Sequence, residues 1–246
     1  MSVPKDGILV CNGDNAGARR MAVEYPAETT LLYGLDPSLG ALDCIAENIR
    51  TTKEGMEFDI KWNGLTYAAR CPLVGKAAVS NVLGSFLMAA TLGADPQTLI
   101  AGISQLEPIE NRLERKHFNG STHLRDGYNS NPQGFLAALE QLRDEPGDRR
   151  ILITPGMIEL GDEQKIENTR VAKEAAAVVD LAFIVGSTNR SALVEGLREG
   201  GKVGEAVLLF DTRDQAFAKL SEIQKPGDIV LIENDLPDLF EAEVRF

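Results

Sequence analysis

Apolar and polar positions alternate along this chain in two distinct rhythms, one before and one after roughly residue 108. The first stretch opens with a buried-type strand at 7–12, a tight polar loop at 13–17 and a helix at 18–24. A strand at 29–34 follows. The pattern then turns to β, with strands at 44–49, 56–62 and 65–70; Asn63-Gly64 between the last two is a strong hairpin signal, because both turn positions need φ > 0. Val79, Val82, Leu83, Phe86 and Leu87 recur at helical spacing and predict a helix ending near Gly93. Asp95-Pro96 then opens another, running to about Gln105. After residue 108 short apolar runs alternate regularly with amphipathic helices. A short extended run ends at Leu124. Phe135, Leu136, Leu139 and Leu142 mark a helix face, with Asn131 as its N-cap and Pro132 at its first position. Strands at 150–154, 180–186, 206–210 and 229–234 alternate with helices at 163–178, 190–199 and 214–223. Strictly alternating strands and helices imply an α/β fold with a doubly wound, mainly parallel, Rossmann-like sheet. Two domains are expected, 1–108 and 109–246.

The polar positions at strand ends are where chemistry would gather. In an open parallel sheet, ligands bind outside the carboxyl ends of the strands, which is where Asp126, Asn129, Asn131 and Glu159 would converge. Asn, Asp, Gly and Pro also cluster at such turns for backbone reasons alone, so spacing leaves ligand and turn roles equally open. Asn12-Gly13-Asp14-Asn15 reads first as a turn with Asx-type hydrogen bonds, and Arg112 by spacing alone as a surface ion pair with Glu110 or Glu114. Cross-strand packing accounts for Trp62 and Tyr67 beside the hairpin turn. Gly75-Lys76 is not a phosphate loop, since no glycine stands five residues before Gly75 and Ala77 follows the lysine. No Gly-x-Gly-x-x-Gly turn is present, which disfavours a redox dinucleotide fold.

Composition narrows the function classes. With 37 acidic against 25 basic residues the net charge is -12, and nucleic acid is an unsuitable partner. Cys11, Cys44 and Cys71 are widely spaced, and His117 and His123 are the only histidines, so neither a disulfide framework nor a metal site is expected. The first residues lack the apolar core of a signal peptide, and no apolar run reaches membrane-spanning length. A cytoplasmic, monomeric protein is expected.

Asp126-Gly127-Tyr128-Asn129-Ser130-Asn131-Pro132, followed one helix and one strand later by Gly156-Met157-Ile158-Glu159-Leu160-Gly161, resembles the start of the C-terminal domain of the Mur ligases. Within that family the run is most similar to members that join D-alanyl-D-alanine to a UDP-N-acetylmuramoyl tripeptide. Glu107-Pro108-Ile109-Glu110-Asn111-Arg112-Leu113-Glu114 resembles the family's crossing from central to C-terminal domain, and Asn12-Gly13-Asp14-Asn15 a turn late in its central domain. Residues 1–108 then correspond to the second part of that central domain, including its β-hairpin region. The resemblance implies an ATP- and Mg2+-dependent amide-bond ligase of peptidoglycan precursor synthesis, hence of cell wall biogenesis and cell shape, which activates a carboxylate as an acyl phosphate for attack by an amine. Its substrates would be a UDP-N-acetylmuramoyl peptide and D-alanyl-D-alanine. It assigns Asp126 to the ATP ribose, Arg112 to the phosphates and Asn81 to the base. Tyr128, Asn129, Ser130 and Asn131 would form the loop facing the amine substrate.

The departures bear on activity. In the family pattern Gly-x-His-Asn-x-x-Asn, Gly75 and Asn81 fit, but Ala77 and Ala78 replace the His and the first Asn, so only Asn81 carries over. The phosphate loop, the metal-binding Glu, the modified Lys and the uridine-binding domain have no counterpart, so no catalytic or metal-binding residue is assigned and no turnover is expected of this chain alone. Two further readings stay open. One is a naturally short relative that binds nucleotide, peptide or a protein partner without catalysis. The other is a folyl-polyglutamate or cyanophycin type ligase, against which the Tyr128-Asn129-Ser130-Asn131-Pro132 run argues because those relatives tend to carry His there.

Overall fold

A computed structural model describes residues 4, 6–24, 27–127 and 130–234, and its backbone divides into two compact units, Met1–Glu107 and Pro108–Phe246. In the first, β1 (Ile8–Asn12), α1 (Ala16–Glu24) and β2 (Thr29–Gly34) form a βαβ step. β3 (Cys44–Thr52), β4 (Gly55–Trp62) and β5 (Leu65–Cys71) continue the sheet as a meander, and α2 (Lys76–Thr91) and α3 (Pro96–Ile103) close the unit. The five strands lie in sequence order, parallel from β1 to β3 and antiparallel from β3 to β5. Asn63 and Gly64 both take the expected left-handed turn conformation, at φ 50° and 75°. Trp62 and Tyr67 pack on Phe86 of α2, with ring centroids 6.0 and 5.9 Å away. That contact joins the meander to a core built on Val79, Leu83 and Leu87, all fully buried. Asn12-Gly13-Asp14-Asn15 makes the hydrogen bonds of a turn: Asn12 Oδ1 accepts from Asp14 N at 2.9 Å, and the Asn15 side chain accepts from Ala18 N at 3.0 Å. The two carboxylate oxygens of Asp14 accept from the backbone of Leu35 and Asp36.

The second unit is built on β6 (Glu114–Phe118), β7 (Ser121–Asp126), α4 (Pro132–Asp144), β8 (Arg149–Thr154), α5 (Gln164–Ala176), β9 (Leu181–Val185), α6 (Arg190–Glu199), β10 (Val207–Phe210), α7 (Arg213–Ile223) and β11 (Asp228–Glu233). The strand order is β10-β9-β8-β11-β7-β6, parallel throughout except for β6 against β7. From β7 to β10 the chain moves across the sheet in one direction, and right-handed crossovers place α4, α5 and α6 on a single face. The return to β11 runs the opposite way, so α7 falls on the other face. The cores agree: Leu124, Phe135, Leu152, Val171, Leu193 and Leu231 form one cluster, and Ile151, Ile153, Phe183, Leu220 and Val230 a second beneath α7. The pattern of apolar positions does not announce β6. Its sequence, Glu-Arg-Lys-His-Phe, is an edge strand with its last three residues exposed, and only the left-handed Asn119-Gly120 turn marks the hairpin.

Helices α5 and α6 pack without room between them. A methyl at Gly196 would overlap the Thr169 carbonyl oxygen and approach Ala172 Cβ at 2.8 Å. Gly196→Ala is therefore expected to destabilise the unit by about 1–3 kcal/mol through overpacking, despite the better helix propensity of alanine. Chemical denaturation monitored by circular dichroism measures this, and a neutral or stabilising result would show that the helices separate freely.

Candidate functional site

The carboxyl ends of β7, β8 and β11 lie side by side, and their polar side chains meet there. Asp126 ends β7 and is paired in register with Glu233, the last residue of β11. Parallel pairing puts both carboxylates on the face that carries α4, because Leu124 and Leu231, two residues earlier, pack in the α4 core. Asp126 Oδ1 accepts from Leu113 N at 3.0 Å, and the Asp126 carbonyl accepts from Asn234 N at 2.9 Å. Burial pushes the Asp126 carboxyl above the usual range, while the Leu113 N–H and the positive charge of Arg112 hold it down. Glu233 is only 1% exposed. Its Oε1 accepts from Ser130 Oγ at 2.5 Å, and its Oε2 is buried without a hydrogen-bond partner among the described residues. Burial first, then the nearby negative charge of Asp126, raises the Glu233 carboxyl well above its ordinary range, with Ser130 offsetting part of the rise.

The loop after β8 is fixed by two buried amides. Asn168 of α5, fully buried, accepts from Met157 N at 2.8 Å and donates to the carbonyls of Met157 and Gln164 at 2.9 and 2.8 Å. Asn189 donates to the carbonyls of Pro155 and Met157, both at 3.0 Å, and accepts from Gln164 Nε2. Asn234 Nδ2 reaches the Gly156 carbonyl at 2.6 Å, tying the end of β11 to the same loop. Asn111, Leu113, Glu159 and Asn234 all adopt left-handed φ, between 49° and 63°. Non-glycine residues hold that conformation only where their surroundings enforce it, and such positions concentrate at functional sites.

Of the residues singled out from sequence, Asp126, Ser130 and Asn131 are thus brought to one end of the sheet, and Arg112 lies within electrostatic reach of Asp126. Asn131 acts as predicted for a cap: its side-chain oxygen accepts from Gln133 N and Gly134 N, which commits that oxygen to α4. Tyr128 and Asn129 lie outside the described residues. Glu159 is exposed on its loop. Asn81 belongs to the first unit, exposed on α2, where its carbonyl accepts from Ser85 Oγ. Sequence reasoning placed Glu233-Asn234 at a strand ending that could line the cleft, without showing that the acid is buried, and it gave no role to Arg125 or Arg213. Those two arginines line a cavity of about 260 Å3 on the α7 face of the same sheet end, together with Asn111, Gly127, Phe217 and Asn234.

Comparison with known proteins gives concordant matches. A family model described as "Mur ligase, glutamate ligase domain" matches residues 111–233. The chain is 27% identical over 191 residues to the UDP-N-acetylmuramoyl-tripeptide–D-alanyl-D-alanine ligase of Escherichia coli strain K12, a match spanning 77% of this chain and 42% of that protein. It is 26% identical over 229 residues to a Staphylococcus aureus UDP-N-acetylmuramoyl-L-alanyl-D-glutamate–L-lysine ligase, spanning 93% of this chain and 45% of that one. Among solved structures, the MurF ligase of Thermotoga maritima in complex with ADP superposes with a TM-score of 0.79 at 18% identity, over 94% of this chain and 51% of that chain. The chain thus spans about half the length of the relatives it matches, and its fold is shared with the solved ligase.

Proposed function

This chain belongs to the Mur ligase family, and from that premise we propose that it serves as the amine-side half of an ATP-dependent amide-bond ligase of peptidoglycan precursor synthesis, one that joins D-alanyl-D-alanine to a UDP-N-acetylmuramoyl tripeptide in the cytoplasm. No helix among the described residues is long and apolar enough to cross a membrane. The observation that carries the proposal is the state of Asp126. One carboxylate oxygen is anchored by the Leu113 N–H, while the other makes no hydrogen bond among the described residues and can accept from a ribose hydroxyl. Arg112, one residue before Leu113 and exposed, offers a planar cation for phosphate oxygens. ATP, when bound, supplies the activation of the carboxylate. This chain's own contribution is to orient the nucleotide through Asp126 and Arg112 and to present Ser130 and Asn131 toward the amine substrate. Ser130 is bonded to the buried Glu233, and Asn131 caps α4. The described residues contain no group of three or more His, Cys, Asp or Glu that could hold a metal.

The test is to supply, as a separate polypeptide, the phosphate-loop half of a related ligase and assay amide formation with D-alanyl-D-alanine and the tripeptide substrate. Product is expected from the mixture, with Arg112→Ala lowering kcat by roughly 10²–10³-fold, the scale of removing one charge-stabilising donor. The chain alone is expected to release no phosphate above a buffer control, since its sequence has no glycine-rich phosphate loop to hold the nucleotide during transfer. Phosphate release by the chain alone, abolished by Arg112→Ala, would overturn that assignment of roles. Ala77 and Ala78, where the family places polar side chains near adenine, favour a second reading in which the chain binds nucleotide or peptide without turnover. Nucleotide binding without product from the reconstituted mixture would move the assignment there.

A further inference from the structure

Glu233, at 1% exposed the most deeply buried acid among the described residues, has no part in the nucleotide or amine contacts assigned to this sheet end. The other buried acids among them each face a cation. Asp228 is gripped by Arg149 at 3.0 and 2.6 Å, and Glu145 accepts from Arg115 at 2.7 Å. Glu233 faces another acid instead. Its register partner across the parallel ladder is Asp126, on the same sheet face. Oε1 of Glu233 accepts from the Ser130 hydroxyl, Oε2 is buried with no hydrogen-bond partner among the described residues, and one carboxylate oxygen of Asp126 is likewise without one. Two neighbouring buried carboxylates cannot both ionise at low cost, so such a pair keeps a proton. Its surroundings decide which member carries it. Asp126 has the Leu113 N–H and the charge of Arg112 to support an anion, whereas Glu233 has a single hydroxyl donor. Asp126 is also the charge that acts on Glu233. Of the neighbouring elements, β8 ends in Thr154, whose hydroxyl accepts from Gly156 N; the first charged residue of α4 is Glu140, well past its first turn; and Glu159 is exposed on its loop.

We infer that Glu233 is a positioning residue for the nucleotide: as a neutral acid it donates its proton in a hydrogen bond to the open oxygen of Asp126, and so holds that carboxylate, the pair's single anion, for a ribose hydroxyl. A carboxylate oxygen has lone pairs for both donors. Ionisation of Glu233 removes the donor and sets a second negative charge beside the first, which pushes Asp126 away and weakens the site for an anionic nucleotide. Burial and the charge of Asp126 raise the Glu233 carboxyl, which puts this loss on the alkaline side of its ordinary range. This role rests on the ligase proposal, which makes Asp126 the ribose acceptor, and deepens it by naming what governs that acceptor.

Calorimetric titration of the 246-residue chain with ADP, from about pH 7 to about pH 9.5, tests this role. The wild type is expected to bind ADP at about pH 7 and to lose affinity as pH rises, by up to about 10-fold per pH unit once Glu233 ionises, because only the neutral form is competent. Glu233→Gln keeps an N–H for Asp126 and has no proton to lose. It is expected to match the wild type within about 3-fold at about pH 7 and to hold that affinity at alkaline pH. Glu233→Ala removes the donor and is expected to bind roughly 10-fold more weakly at every pH, with circular dichroism checking that each variant stays folded. In Asp126→Asn, adding Glu233→Gln is expected to change the affinity no further, since Glu233 acts through Asp126. Parallel pH profiles for wild type and Glu233→Gln, or a Glu233→Gln protein as weak as Glu233→Ala at neutral pH, would overturn the role of Glu233 and leave Asp126 as the ribose acceptor. A wild type that binds no ADP at any pH would overturn the ribose assignment itself, and the role of Glu233 with it.

Discussion

Asn168→Ala is expected to cost the second unit roughly 3–5 kcal/mol and to loosen the loop that joins β8 to α5. The side chain is fully buried and makes three hydrogen bonds between 2.8 and 2.9 Å, two of them to the two backbone groups of Met157. Truncation removes about 1 kcal/mol of net stabilisation per bond and leaves the Met157 N–H without its partner, which adds about 1–3 kcal/mol. Asn189 shares the Met157 carbonyl, so the acceptor is partly rescued and the donor is not. The loss passes to the site through Gly156, whose carbonyl receives the Asn234 amide at the end of β11. Arg170→Ala on the same helix is the control: its ion pair with Glu167 is an exposed i,i+3 contact, worth a few tenths of a kcal/mol. Urea unfolding of both variants measures the difference. Equal midpoints would mean that the loop does not depend on Asn168.

What the sequence made legible follows from the range of the interactions involved. The helix from Pro132 announces itself locally, because the Asn131 cap, the proline and the Phe135, Leu139 and Leu142 stripe all lie within a dozen residues. Strands β8, β9 and β11 are apolar on both faces, as parallel strands covered by helices must be, and stand out for that reason. Strand β6 is polar and at an edge, so apolar patterning says nothing about it, although the Asn119-Gly120 turn is the same signal that correctly placed the hairpin at Asn63-Gly64. Asp126, Ser130 and Asn131 were visible as a motif. The burial of Glu233 was not, because it depends on β11 inserting between β7 and β8, about a hundred residues downstream of Asp126. Asn168 looked like one more polar residue on a charged helix. Only the fold shows that it faces inward and holds the neighbouring loop. Arg125 stands just before the motif, and alternation sends it to the face opposite Asp126, where the cavity lies.

Glu233→Gln is expected to make the protein more stable at neutral and alkaline pH, with an advantage that grows as pH rises. In the unfolded chain a glutamate releases its proton near about pH 4.3. In the folded chain burial and the charge of Asp126 raise that carboxyl well above its ordinary range, so the native state keeps a proton that the unfolded state has already lost. Stability therefore falls as pH climbs above about 4.3, and goes on falling until the folded carboxyl itself ionises. Glutamine preserves the shape and an acceptor for Ser130, and places a neutral N–H where Oε2 now sits without a partner. It has no proton to lose, so the pH-dependent penalty disappears. The gap between the two proteins should widen by up to about 1.4 kcal/mol per pH unit until the folded carboxyl ionises. Asp126, also raised by burial, remains in both proteins and contributes a shared slope, so the informative quantity is the gap between the two curves rather than either one. Thermal unfolding of both proteins from about pH 5 to about pH 9 measures that gap. Parallel curves would mean that Glu233 is ionised in the native state, and its Ser130 contact would then be a charged one. A gap that widens with pH identifies a neutral acid bonded to Ser130, and ionising it would place a second negative charge beside Asp126, where the ribose is proposed to bind.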